Sequence, residues 1–339
     1  MVRQLFHRFM QLPYLLRLLA AVIFILLVFG VVIHILEPRS FPTLFEGIWW
    51  AIVTTSTIGY GDYVPETTAG KFTAMLLIFS GAGLVASYFV AIASTAIKRQ
   101  GAILKGTVRV YWKDHIIIVG WNERTKGIIQ NIRKFRKNQP VVLIDSSLEE
   151  SPDPQDIRLM FVKGHAFSDE TLLQAHIKEA KMIIVTADPT RSEFHADMNT
   201  VLIIVAVKGL APNVHCIAEI LTKEQMLNAK RAGADEIIQS NKLISSVMNH
   251  TMLSPHVSTA LLHMVDSQIG VQIKFLDRKN LSGRTFASAA ENCLKNGSIL
   301  IGFQRNNETF IAPDREEVLQ ESDKLLIIHH EQPGPGNNQ

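Results

Sequence analysis

Two long uncharged runs stand out along the chain: residues 18–36, between Arg17 and Glu37, and residues 72–97, between Lys71 and Lys98. An α-helix needs about 20 residues to cross the hydrocarbon core of a bilayer, so both qualify as spans. A third apolar run, from Leu44 to Ser56, lies between them and is too short to cross. Apolar segments of that length at membrane depth are re-entrant, which predicts two spanning helices around a dipping loop. From Asp114 onward short apolar runs alternate with amphipathic stretches. That texture predicts a parallel sheet flanked by helices. Strands are expected over 115–119, 141–145, 160–162, 182–186, 214–219 and 236–239, with helices over 123–137, 169–176, 192–208 and 221–232. The alternation is that of a doubly wound fold. Residues 242–264 read as a helical crossover broken at Pro255, and 272–328 as a small α+β lobe ending in a strand over 324–329.

Composition agrees with a chain of two kinds of material. Hydrophobic residues make up 47% and charged residues 19% of 339, which excludes a disordered chain. The mean hydropathy of +0.16 is high for a wholly soluble protein and low for a many-span carrier. With Lys+Arg 34 against Asp+Glu 31, nothing points to a nucleic-acid partner. Cys216 and Cys293 are too few for a disulfide framework and are expected as reduced, buried thiols. Basic residues set the orientation: Arg3, Arg8 and Arg17 precede the first span and Lys98, Arg99, Lys105, Arg109 and Lys113 follow the second. Both termini are therefore expected in the cytoplasm, with the lipid bilayer as a partner. The first run is longer than a signal-peptide core and is expected to stay as an anchor. Residues 1–17 form either a short interfacial helix or a frayed lead-in, and the Pro- and Gly-rich residues 332–339 are expected to be disordered.

The re-entrant run carries Trp49 and Trp50 and leads into Thr57-Ile58-Gly59-Tyr60-Gly61-Asp62. This string resembles the potassium-channel filter signature Thr-Val-Gly-Tyr-Gly, with Ile58 in place of Val, and the resemblance covers residues 15–100. A dehydrated cation needs rings of carbonyl oxygens in place of its water, and copies of one short backbone loop supply them. Glycines at alternate positions permit the backbone conformations that point successive carbonyls at one axis. One loop cannot encircle an ion, so the resemblance implies a homotetramer conducting K+ through Thr57, Ile58, Gly59, Tyr60 and Gly61. In the family a glycine of the second span is the gating hinge; Gly81 and Gly83 stand there, with close helix packing as the alternative reading. Residues 86–97 carry no acidic group near the expected inner mouth, which predicts weak concentration of cations there.

The turn after the first predicted strand is Gly120-Trp121-Asn122-Glu123, and it lacks the later glycines of a dinucleotide fingerprint. It resembles the RCK domains, regulators of potassium conductance, as does the corner Gly164-His165-Ala166. A helix N-terminus still offers amides to an anion at such a turn, and Asp145, ending the second strand, stands where a carboxylate accepts from ribose. The candidate site for an adenine nucleotide or dinucleotide is thus Gly120, Asn122, Glu123, Asp145, His165 and Asp188, against a purely structural turn as the alternative. The family usually has Asp where His165 stands. Calcium-gated relatives hold their ion at positions matching Thr186, Glu219 and Leu221, so Glu219 alone offers a carboxylate. Calcium binding there is not expected: Asp188 could substitute as a ligand from two residues on, but an isolated Asp-Pro is more often a turn or helix cap. The histidines make no metal-ligand pattern.

The resemblance implies the following organisation: pore domain 18–97 (span 18–36, pore helix and filter 44–62, span 72–97), linker 98–113, Rossmann-like lobe 114–240, crossover 241–265 and C-terminal lobe 266–331. The fold class is an α-helical two-span pore-loop membrane domain, then an α/β doubly wound Rossmann-like RCK domain with a small α+β lobe. The apolar stretch 201–207 is expected to pack against another copy. A ligand-gated channel in a prokaryotic cell membrane is the leading reading. An enzyme is disfavoured because no nucleophile-base pair accompanies the crevice, and a regulatory subunit because the chain carries its own filter. The identity of the small-molecule effector, and a ring of four or eight RCK domains, stay open.

Overall fold

The computed structural model describes residues 13–265, 271–277 and 282–330. The interfacial reading of residues 1–12 and the tail at 332–339 lie outside these described residues. The chain divides into two units between Val108 and Arg109.

The first unit is helical: α1 (Tyr14–Leu36), α2 (Leu44–Thr55), α3 (Thr68–Leu77), a π-helical turn (Ile78–Ala82) and α4 (Gly83–Leu104). α1 and the continuous stretch Thr68–Leu104 are long and apolar enough to cross a bilayer, whereas the 12 residues of α2 are not. The helix does not stop at residue 97. Lys98 and Arg99 end the apolar stretch, but both favour helix, so the backbone carries on to Leu104. Ile33, Phe41, Trp50, Ala51 and Leu77 form the core of this unit. Glu37, just past α1, is 4% exposed. Its carboxylate accepts from Glu66 N at 3.0 Å, Thr67 N at 2.9 Å and Thr67 Oγ1 at 2.6 Å. A negative charge is thereby fixed at the N-terminus of α3, where the helix dipole favours it.

The second unit opens with six strands, β1 (His115–Val119), β2 (Val141–Asp145), β3 (Leu159–Lys163), β4 (Ala180–Val185), β5 (His215–Ile220) and β6 (Glu236–Gln239). They pair in parallel in the order β3-β2-β1-β4-β5-β6. This is the doubly wound arrangement that the alternating pattern predicts. Helices α5 (Glu123–Phe135), α6 (Asp169–Gln174), α7 (Glu193–Leu210) and α8 (Lys223–Arg231) connect the strands. Successive strand residues enter different cores. Ile117, Val119, Val142 and Ile144 pack with Ile203 and Ile204 of α7, and Ile116, Ile118, Val141 and Leu143 pack with Ile129 of α5. Both faces being covered, the strands read as unbroken apolar runs. In α7, Ile203, Ile204 and Val207 are buried, while Leu202 and Val205 are exposed.

α9 (Ser240–Leu253) and α10 (Val257–Val265) break around Pro255 and lead to an antiparallel sheet. Its strands β7 (Val271–Leu276), β8 (Ser298–Arg305), β9 (Glu308–Ile311) and β10 (Lys324–His330) lie in the order β7-β10-β8-β9. Helix α11 (Phe286–Lys295) closes its core with Phe286, Ala289 and Cys293. The expected start of this unit at residue 114 comes too late. Val110 is already fully buried in the sheet core, and its N–H donates to Gln174 O at 2.8 Å.

Candidate ion filter and nucleotide crevice

α2 ends at Thr55 and the chain turns back into residues 57–61. Thr57, Gly59 and Gly61 have φ of 62°, 59° and 75°, so left-handed residues alternate with Ile58 and Tyr60. Such alternation turns successive peptide groups to one side, the geometry that makes ion-binding concavities from backbone. Among the described residues no hydrogen bond ends on the carbonyls of residues 57–61. A Cβ added at Gly59 or Gly61 would meet nothing within 4 Å, so the demand for glycine is conformational, not spatial. The paired tryptophans divide their work. Trp50 is buried in the core, while Trp49 Nε1 donates to Asp62 Oδ2 at 2.8 Å and its ring stacks on Tyr60 at 6.2 Å. The two candidate hinge glycines have different surroundings. A Cβ at Gly81 would lie 3.0 Å from Thr55 Cγ2 and Oγ1, whereas one at Gly83 would meet nothing within 4 Å. Gly81 sits in the π-helical turn, which no feature of the apolar run announces.

In the second unit a cavity of about 150 Å³ opens at the C-terminal ends of β1 to β4, the switch point of the sheet. Gly120, Asn122, Asp145, His165 and Asp188 all line it. Glu123 does not; it is exposed and pairs with Lys126 at 2.7 Å, because it lies past the turn on the outer side of α5. The expectation that the helix N-terminus offers free amides holds at most for Glu123 N. Asn122 Oδ1 accepts from Arg124 N at 3.0 Å and Thr125 N at 3.1 Å, capping α5 from within. Asn122 N donates to Thr125 Oγ1 at 2.9 Å, Trp121 N to Asp145 Oδ2 at 2.8 Å and Gly120 N to Ile144 O at 2.9 Å. Asp145 Oδ1 takes Ser147 N, Ser147 Oγ and Leu148 N at 2.7, 2.6 and 3.0 Å. His165 is exposed and its ring stacks on Phe167 at 5.0 Å. Burial alone would raise the Asp188 carboxyl, but bonds from Thr190 and Arg191 hold it below the usual carboxylate range.

The comparisons with known proteins follow the same division. An ion-channel family matches residues 21–98 and the TrkA-N domain matches residues 116–240. Over 334 residues, 96% of this chain and 99% of the other, the sequence is 37% identical to the putative potassium channel protein YugO of Bacillus subtilis. The chain belongs to the potassium channels that carry a TrkA-N domain. The channel is also 27% identical to the calcium-gated potassium channel TvoK of Thermoplasma volcanium, over 84% of this chain and 81% of that one. The solved GsuK channel bound to NAD shares its fold with a TM-score of 0.52 and 19% identity over 93% of this chain. The channel spans 57% of the length of the GsuK chain.

Several residues that shape the crevice of this channel lie outside the sequence-based set. Thr186 Oγ1 accepts from Asn122 Nδ2 at 3.0 Å, and Arg191 reaches the cavity from the β4–α7 loop. Glu219, the candidate divalent ligand, is 5% exposed and has other partners. Its Oε2 accepts from Ala187 N at 2.8 Å and lies 3.1 Å from Arg124 Nε, while Ser240 Oγ donates to Oε1. Arg124 Nη2 also donates to Ala187 O at 2.7 Å. A tethered guanidinium therefore supplies the positive charge at that carboxylate, which is the physical reason against Glu219 as a free metal ligand.

Proposed function

We propose that four copies of the chain assemble around residues 57–61 into a potassium-selective pore in the cell membrane, with both termini cytoplasmic. The proposal rests on one observation above all: left-handed backbone at Thr57, Gly59 and Gly61 alternates with ordinary backbone at Ile58 and Tyr60. Carbonyls turned to one side and left without partners are the groups that replace the water of a dehydrated cation. Apolar side chains such as Phe72, Phe79 and Phe89 are exposed on a single copy, as lipid contact and copy-to-copy packing require. The second unit binds an adenine nucleotide at the ends of β1 to β4. That ligand gates the pore by binding one arrangement of the cytoplasmic domains better than another, because only differential affinity shifts an equilibrium. TvoK is a calcium-gated channel by name; in this chain Arg124 holds the one candidate carboxylate. Chemistry at the crevice is limited to binding.

The test is potassium flux into liposomes holding the purified channel, with calcium, NADH, ADP and a cyclic dinucleotide added singly to the cytoplasmic side. Selective flux that changes with an adenine nucleotide and not with calcium is the expected result. Strong activation by calcium would overturn the assignment of the gating ligand. Absence of potassium flux in folded tetramers under every condition would overturn the channel reading.

A further inference from the structure

We infer that the crevice takes a nucleoside polyphosphate in preference to a dinucleotide, and that Arg191 holds its phosphates. The inference rests on the nucleotide reading above and names the ligand class.

A dinucleotide on a doubly wound sheet lays its pyrophosphate over the turn after the first strand. There a second glycine lets the backbone approach and the helix N-terminus supplies free amides. In this chain the second glycine's place is taken by Asn122, whose side chain fills the turn. Its Oδ1 accepts from Arg124 N and Thr125 N, and its Nδ2 donates to Thr186 Oγ1. The third glycine's place holds Thr125, fully buried, whose Oγ1 accepts from Asn122 N. The amides of Gly120, Trp121, Asn122, Arg124 and Thr125 thus all have partners inside the chain. A pyrophosphate placed on this turn meets the Asn122 carboxamide and competes with the helix cap for every amide but that of Glu123.

The positive charge lies elsewhere on the cavity wall. Arg191 Nε donates to Asp188 Oδ2 at 3.0 Å, and Asp188 Oδ1 is itself braced by Thr190 N at 2.9 Å and Thr190 Oγ1 at 2.7 Å. The guanidinium is oriented by a carboxylate that cannot swing, and its Nη groups have no partner among the described residues. A planar fork of N–H donors fits a terminal phosphate in two-point contact. The rest of the cavity suits a nucleoside. His165 and Phe167, stacked at the end of β3, present an aromatic surface to a base. Among the described residues Asp145, at the end of β2, has Trp121 N alone on its Oδ2 and so keeps a lone pair for a ribose hydroxyl. Base, ribose and phosphates then follow the ends of β3, β2 and β4 in turn.

The test is calorimetric titration of ADP, ATP and NAD into the full-length channel in detergent, with a thermal melt as the check on folding. Wild type is compared with Arg191→Gln and Asn122→Gly. The expected results are ADP or ATP binding at least tenfold tighter than NAD, a tenfold or greater loss in Arg191→Gln, and tighter NAD binding in Asn122→Gly. If Arg191→Gln does not fold, Arg191→Lys keeps the charge without the fork and is expected to lose several-fold. NAD binding as tightly as ADP, or Arg191 variants binding ADP like wild type, overturns the inference and leaves the nucleotide reading standing. Absence of binding by all three ligands to the folded channel overturns the nucleotide reading, and the inference with it.

Discussion

The filter turn at residues 57–61 and the crevice turn at residues 120–125 are both marked by glycine, yet they treat their backbone in opposite ways. In the first, left-handed residues alternate along the turn and no carbonyl accepts a hydrogen bond among the described residues. In the second, amide after amide is bonded to a neighbouring side chain or strand. Unpaired backbone groups at membrane depth are costly, so on the reading proposed above the carbonyls of residues 57–61 find their partners in ions and in further copies of the loop. Among the described residues the crevice turn bonds every amide from Gly120 to Thr125 but that of Glu123, so recognition falls mainly to side chains. A glycine-marked loop therefore has no fixed chemistry; the destination of its backbone hydrogen bonds decides it.

The sharpest way to break this contrast is Gly59→Ala. Left-handed backbone costs a side-chain-bearing residue about 1–2 kcal/mol in every copy. Potassium flux in liposomes is expected to fall at least tenfold while the second unit melts as in wild type. Wild-type flux would show that the alternating backbone at residues 57–61 is dispensable. Next in size is Arg124→Ala, which leaves the buried Glu219 without its cation. A loss of about 1–3 kcal/mol is expected, read as a lower melting temperature of the full-length channel. An unchanged melt would mean that Ala187 and Ser240 suffice to hold the carboxylate.

Asn122→Ala removes the cap of α5 and is expected to cost about 1 kcal/mol, again by thermal melting. A variant as stable as wild type would show that the turn does not depend on its internal cap. The smallest effect concerns pH. His115 is fully buried, with Nε2 against Ala175 O at 3.0 Å, and burial holds its imidazole below the ordinary histidine value. The unfolded chain takes up a proton near pH 6.5 that the folded chain refuses, so this part of the stability is intact above that range and is lost as pH falls through it. Melting temperatures from pH 7.5 down to 5.5 are expected to decline in wild type and to flatten in His115→Gln; equal slopes would remove His115 from the account.

Both regions are legible in the sequence to different depths, and the reason is locality. The proposed filter is a run of five consecutive residues acting through their backbone, so the string from Thr57 to Gly61 is enough to suggest it. The sheet order follows from buried apolar strands in regular alternation with helices. The crevice turn is harder. Asn122 followed by Thr125 is a readable helix start, but a glycine before it draws attention to phosphate binding instead. Contacts between distant residues leave no local mark. Arg124 meets Glu219 across two βα units, and Asp197, fully buried in α7, accepts from Leu221 N, Thr222 N and Thr222 Oγ1. The helix beyond residue 97 escapes the pattern because Lys98 and Arg99 end the apolar run without ending the helix, and no feature of the apolar run marks the π-helical turn.

The central claim, that backbone carbonyls of residues 57–61 form a potassium filter, is tested most directly by the relative permeability of K+ and Na+ through the purified channel in planar bilayers under opposing gradients of the two ions. A reversal potential close to that of potassium is the predicted result. Equal permeability of K+ and Na+ through folded tetramers would contradict the claim.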